Sequence, residues 1–205
     1  QDALIASISG GTYSSTLEQE LDSELETARE IRDRLSGVAE QWRTSSNLLT
    51  AASKAAAQAS ELWAQAGPSK NPSERIQIAL DVRQSCLSSI FAQDCANQAL
   101  PQVEIPFITH RQSTAVKHAI IYIITDLAAE SRYNHTNNVF EFYHANTDKA
   151  VEWLQTTYKK TLDVDLSSQI ETISVLTFRL RKERIKHFKN IVGNKLYIRP
   201  TIQKN

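Results

Sequence analysis

A seven-residue repeat near the start of the chain limits the fold more than any other feature. Apolar or small residues recur at alternating spacings of four and three. They are Leu17, Leu21, Ala28, Ile31, Leu35, Val38, Trp42, Leu49, Ala52, Ala56, Ala59, Trp63 and Ala66, with Glu24 and Ser45 in the two remaining positions. Such a repeat keeps one stripe of an α-helix turned toward a partner along its whole length. Ser15 with Glu18 three residues on has the form of a capping box, and Gly67-Pro68 is a helix stop. The repeat therefore predicts a very long amphipathic helix over 15–67.

Two positions interrupt the pattern. Gly37 costs about 1 kcal/mol relative to Ala inside a helix. Thr44-Ser45-Ser46-Asn47 is a run of residues that start helices as readily as they continue them. Two forms satisfy these facts: one helix of about 75 Å at 1.5 Å per residue, or a helical hairpin bent near Ser45. The register passes through the break without a slip, which favours the single helix. The second half, Ala51 to Ala59, is rich in alanine and lets a partner approach closely.

The rest of the chain also reads as helical. Gly and Pro number only five each in 205 residues, too few for the turns of a many-stranded sandwich. Asn71-Pro72-Ser73-Glu74 starts a helix that runs to about Ala99, with Ile76, Leu80, Leu87 and Ile90 on its apolar face. Pro101 and Pro106 make 101–109 an extended linker. Residues 112–131 form the most apolar helix, expected at the centre of the core. A polar loop is expected over 131–138. Asn146 or Thr147 caps the next helix, and Asp163 or Asp165 the last one, which Gly193 would end. The fold class is an all-α helical bundle with minor extended segments. It is organised as a flexible tail (1–14), the long helix or hairpin (15–67) and a helical core packed against it (71–205), a single domain overall.

Charge is balanced in total, with 23 basic and 23 acidic side chains, yet uneven along the chain. Gln1 to Glu40 holds nine acidic and three basic residues; Phe178 to Asn205 holds nine basic and one acidic. A basic helix alone would suit nucleic acid or an anionic membrane. With zero net charge and only Phe188 and Tyr197 for stacking, the simpler expectation is that the basic last helix lies against the acidic first one. No nucleic acid is expected as a partner. No apolar run approaches the roughly 20 residues that span a bilayer.

Three features suggest an extracellular, secreted protein. The chain starts at Gln1 rather than Met, Asn134-His135-Thr136 is an N-glycosylation sequon, and Cys86 and Cys95 can form one disulfide. Nine residues of unbroken helix hold two Cα atoms about 13 Å apart, and a disulfide needs less than about 7 Å. A bridge between Cys86 and Cys95 therefore requires the helix to break between Ser89 and Asp94.

Chemistry is sparsely signalled. No phosphate-binding glycine loop, nucleophile elbow or zinc-protease motif occurs, and no cofactor is expected. Glu141 and His144 have the spacing of one di-iron half-site, but such centres need two, so no metal is expected. Asp163 and Asp165 read as caps. Trp42, Trp63 and Trp153 fall on apolar stripes and suit core packing. A sharper alternative has them line a groove for a lipid or other hydrophobic small molecule. The functional expectation is a non-enzymatic secreted glycoprotein that binds a protein partner or a hydrophobic ligand. The alternative is a self-assembling coiled-coil protein that forms oligomers through the long helix.

Overall fold

The computed structural model describes residues 15–67 and 71–197, with side chains through Asn190. The expected tail over 1–14 and the expected stop at Pro68 lie outside the described residues. Five helices are described: α1 (Thr16–Gln65), α2 (Pro72–Ala99), α3 (His110–Asp126), α4 (Glu130–Lys160) and α5 (Leu162–Tyr197). No strand occurs among the described residues. The chain is an all-α bundle with one very long N-terminal helix.

The heptad is realised as one helix. α1 holds 50 residues and runs through Gly37 and Ser45 without a break. Its start is capped as the sequence predicts, with the Glu18 amide donating to Ser15 Oγ at 3.1 Å. Ser45 stays inside the helix because its hydroxyl finds a partner across the bundle. It donates to the Ala96 carbonyl at 3.0 Å and is fully buried. Gly37 faces open space, so no close approach explains it.

The chain groups into two compact units, 37–163 and the pair of segments 1–36 and 164–205. In the larger unit, the alanine-rich part of α1 packs against α2 through small side chains. Ala52, Ala56 and Ala59 are buried opposite Ala79, Val82, Ser85, Cys86 and Ser89. Ser89 Oγ donates to the Ala52 carbonyl at 2.7 Å, a reach that only a close helix crossing allows. Two apolar clusters fill this unit. One gathers Trp63, Ile90, Val116, Ile120, Ile123 and Phe140. The other gathers Trp42, Leu49, Ala96, Leu100, Ile105 and Leu154.

The end of α1 is held by side chains, since the last four carbonyls of a helix lack intrahelical donors. Tyr133 donates its hydroxyl to the Trp63 carbonyl at 2.9 Å. The Arg75 guanidinium spans two helix ends, donating to the Ala66 carbonyl at 3.0 Å and the Leu127 carbonyl at 2.9 Å. A cation at a helix C-terminus also opposes the helix dipole. α3 opens with a full capping box between Thr109 and Gln112. Its Val116, Ala119, Ile120 and Ile123 are core residues, as expected.

The smaller unit pairs the first part of α1 with α5. Leu21, Leu25 and Ala28 pack on Leu176 and Leu180, and Arg184 reaches Glu18 and Asp22. Low numbers in α1 thus meet high numbers in α5, so the two segments are antiparallel. Among the described residues, the acidic first part of α1 lies against α5, with Glu18 and Asp22 on Arg184.

Five local expectations are corrected. The polar loop over 131–138 is helix, because α4 begins at Glu130. Asn146 and Thr147 cap nothing; both are buried inside α4. α5 begins at Leu162, so Asp163 and Asp165 lie inside it rather than capping it, and it continues through Gly193 to Tyr197. The helix break between Ser89 and Asp94 does not occur either. α2 is continuous, and Cys86 and Cys95 are free thiols too far apart along one helix to bond.

Candidate functional site

The three tryptophans do not share one groove. Trp63 belongs to the first apolar cluster and is completely buried. Its ring stacks on Tyr133 with centroids 5.1 Å apart and meets the edge of Phe140 at 5.7 Å. Its indole N–H donates to the Tyr133 carbonyl at 3.2 Å. Trp42 belongs to the second cluster and donates to the Leu154 carbonyl at 2.9 Å. Trp153, half-buried, tilts against Trp42 at 6.5 Å. Structure thus joins Trp42 with Trp153 and separates both from Trp63. The groove beside Trp42, lined also by Arg43, Asn47, Tyr158 and Lys159, measures about 130 Å³. Ligand pockets usually hold about 300–1,000 Å³.

Polar groups inside the larger unit satisfy one another. Tyr143 donates to Gln93 Oε1 at 3.0 Å, and its oxygen lies 3.1 Å from Ser89 Oγ, whose own proton goes to the Ala52 carbonyl. Thr147 Oγ1 donates to the Tyr143 carbonyl at 2.8 Å, and Ser53 Oγ to Asp148 Oδ1 at 2.8 Å. Burial pushes the Tyr143 hydroxyl up to about 12 and the Cys86 thiol up to about 12. Both groups therefore stay protonated near neutral pH, and neither is an activated nucleophile. Asn146 Nδ2 alone among the buried side-chain nitrogens and oxygens described lacks a hydrogen-bond partner.

Other chemical candidates are surface features. Glu141 accepts from Asn137 Nδ2 at 2.7 Å, one turn earlier on α4. No group of three His, Cys, Asp or Glu suited to a metal occurs among the described residues. A cleft of about 550 Å³ between α3 and α4 carries Arg111, His118, Arg132 and His135 on its rim. Asp126 in that cleft is engaged by the Thr136 hydroxyl at 2.7 Å. Asn134, the sequon asparagine, is exposed on α4, while Thr136 is buried. No described helix is long and apolar enough to cross a membrane.

The surface feature that sequence reasoning missed is on α2. Ile76, Leu80, Leu87 and Phe91 are all exposed, Phe91 by 70%. At 3.6 residues per turn they fall within an arc of about 60° and span about 22 Å of helix. The opposite side of α2, with Ala79, Val82, Cys86 and Ala96, is in the core. α2 is thus apolar on two faces, one buried and one open. Its sequence signalled this, since Ile76, Leu80 and Leu87 sit beside, rather than on, the stripe of Ala79, Val82, Cys86 and Ile90. Of the face expected inward, Ile76, Leu80 and Leu87 point outward, and the smaller Ala79, Val82, Cys86 and Ala96 face the core.

Comparison with known proteins gives no match: no family model, no curated protein and no solved structure matches the chain.

Proposed function

We propose that the protein is a non-catalytic, extracellular helical interaction protein, and that it docks an amphipathic helix of a protein partner along the open stripe of α2. The exposed row Ile76, Leu80, Leu87 and Phe91 carries this reading. Its spacings of four, seven and four are those that a partner helix reads, and contiguous exposed apolar surface marks interaction sites. Gln77, Gln84 and Ser88 border one side of the row and are uncharged, while exposed Arg83 sits between Leu80 and Leu87 and exposed Asp94 follows Phe91, so the contact is an apolar row with two charged positions in it. The hydrophobic-ligand form of the reading has less support. Trp63 has no open wall, and the Trp42 groove is too small for a lipid.

The extracellular part rests on the exposed Asn134 in its sequon. Glycosidase treatment of the protein from its source should lower its mass by one N-glycan, and Asn134→Gln should carry none. An unchanged mass contradicts secretion through a glycosylating pathway. For the docking, a photo-cross-linking residue at Phe91 should give a discrete, saturable adduct with a source protein. The same group at exposed Lys54 should not. Equal labelling at both positions contradicts the docking site.

A further inference from the structure

We infer that the α1–α5 hairpin of the smaller unit pairs with a second copy of this chain, about a two-fold axis parallel to its helices, to form a four-helix bundle. The hairpin buries little by itself. Its seam consists of Leu21, Leu25 and Ala28 against Leu176 and Leu180. On one flank of that seam α1 exposes Leu17 and Ile31, with Glu20 and Glu24 between them. At 3.6 residues per turn, these four fall within an arc of about 60°. On the same flank, α5 exposes Val175, Arg179 and Lys182. There the two helices form a groove of about 750 Å³, with Leu17 and Leu21 in its wall and Arg179, Lys182 and Lys186 along it. One flank is therefore acidic and apolar on α1 and basic and apolar on α5. Glu20, Glu24, Arg179 and Lys182 are exposed, and none has an ion-pair partner among the described residues.

Register decides the occupant. Within the hairpin, Glu18 is level with Arg184. Two residues forward on α1 and two back on α5 keep that level, which matches Glu20 with Lys182. Glu24 then falls beside Arg179. A two-fold axis parallel to the helices leaves every height unchanged. The Glu20 and Glu24 of one copy therefore meet the Lys182 and Arg179 of the other, twice over. Ile31 comes within about one helical turn of the other copy's Val175 in the same step. Each helix ends with two antiparallel neighbours, the up-and-down arrangement of four-helix bundles. A face that matches itself under a two-fold is what an isologous dimer requires. The α2 stripe plays no part.

Light scattering of the full chain tests the pairing. The mass should be twice 23.1 kDa at about 100 μM in low salt, falling toward 23.1 kDa as ionic strength screens the pairs. A monomer under all of these conditions overturns the inference. Charge reversal tests the register. Glu20→Lys with Glu24→Lys, and separately Arg179→Glu with Lys182→Glu, should each give monomers with unchanged helix content by circular dichroism. An equimolar mixture should restore the dimer mass, because each reversed helix then meets its complement. A wild-type dimer whose two reversed forms fail to recombine overturns the proposed face. So does a dimer abolished by Leu80→Ser with Phe91→Ser on α2, which would move self-association to the stripe.

Discussion

Replacing Trp63 separates a core role from a ligand-lining role. Its side chain is fully buried, stacked on Tyr133, edged by Phe140, and hydrogen-bonded through its indole N–H. Trp63→Ala removes the transfer free energy of the ring, leaves a cavity and breaks two aromatic contacts, which together cost about 3–5 kcal/mol. Trp63→Phe keeps a ring but deletes the donor to the Tyr133 carbonyl and part of the volume. Its cost should be about 1–2 kcal/mol. Trp153 is only half-buried, so Trp153→Ala should also cost about 1–2 kcal/mol. Urea unfolding followed by far-ultraviolet circular dichroism measures all three, provided that the slope with denaturant stays constant. A Trp63→Ala cost no larger than that of Trp153→Ala would refute the reasoning. Equal costs would mean that the Trp63 ring is no more enclosed than the half-buried Trp153 ring.

Two further outcomes follow from the buried polar groups. Cys86 and Tyr143 are protonated in the folded core up to about pH 12, whereas their ordinary values are 9.0 and 10.0. The unfolded chain releases these protons first, so stability is unaffected below pH 9 and falls above it. Each group removes on the order of 1 kcal/mol per pH unit once its unfolded form titrates. Cys86→Ala should therefore delay alkaline unfolding, and a curve that coincides with wild type contradicts the assignment. In the smaller unit, Arg184 pairs with Glu18, whose side chain is only 7% exposed. Arg184→Ala should cost about 1–3 kcal/mol by leaving that carboxylate in a poorly solvated place. A change within about 0.5 kcal/mol of zero, the usual scatter for surface sites, would show the pair to be ornamental.

The sequence made some levels of this fold readable and concealed others. The heptad of α1, the Asn71 cap and the apolar row of α3 are strong local signals, and each became the element they imply. α4 was hidden by its polar seam. Tyr133, Thr136, Phe140, Tyr143, Thr147, Ala150 and Leu154 recur at helical spacing along one face. Two of them are threonines, which read as loop or cap residues. Their hydroxyls are satisfied inside the bundle, by Asp126 and by the Tyr143 carbonyl, so polarity did not expel them. α2 misled in the opposite way, because small residues face α1 and large ones face outward. Tertiary packing, rather than propensity, made both choices. Nothing in the sequence distinguished the three tryptophans by environment, since that depends on which helices meet at 42, 63 and 153.

Amide hydrogen exchange along α1 tests the organisation of the chain most directly. A continuous helix protects the amides of Ser45 to Leu49 through bonds to carbonyls four residues earlier, with Ser45 itself buried against α2. Those amides should exchange as slowly as the ones around Ala56. A bend at Ser45 would free the first four amides of a second helix. Fast exchange confined to Ser45 to Leu49 would contradict the single helix whose repeat first defined this protein.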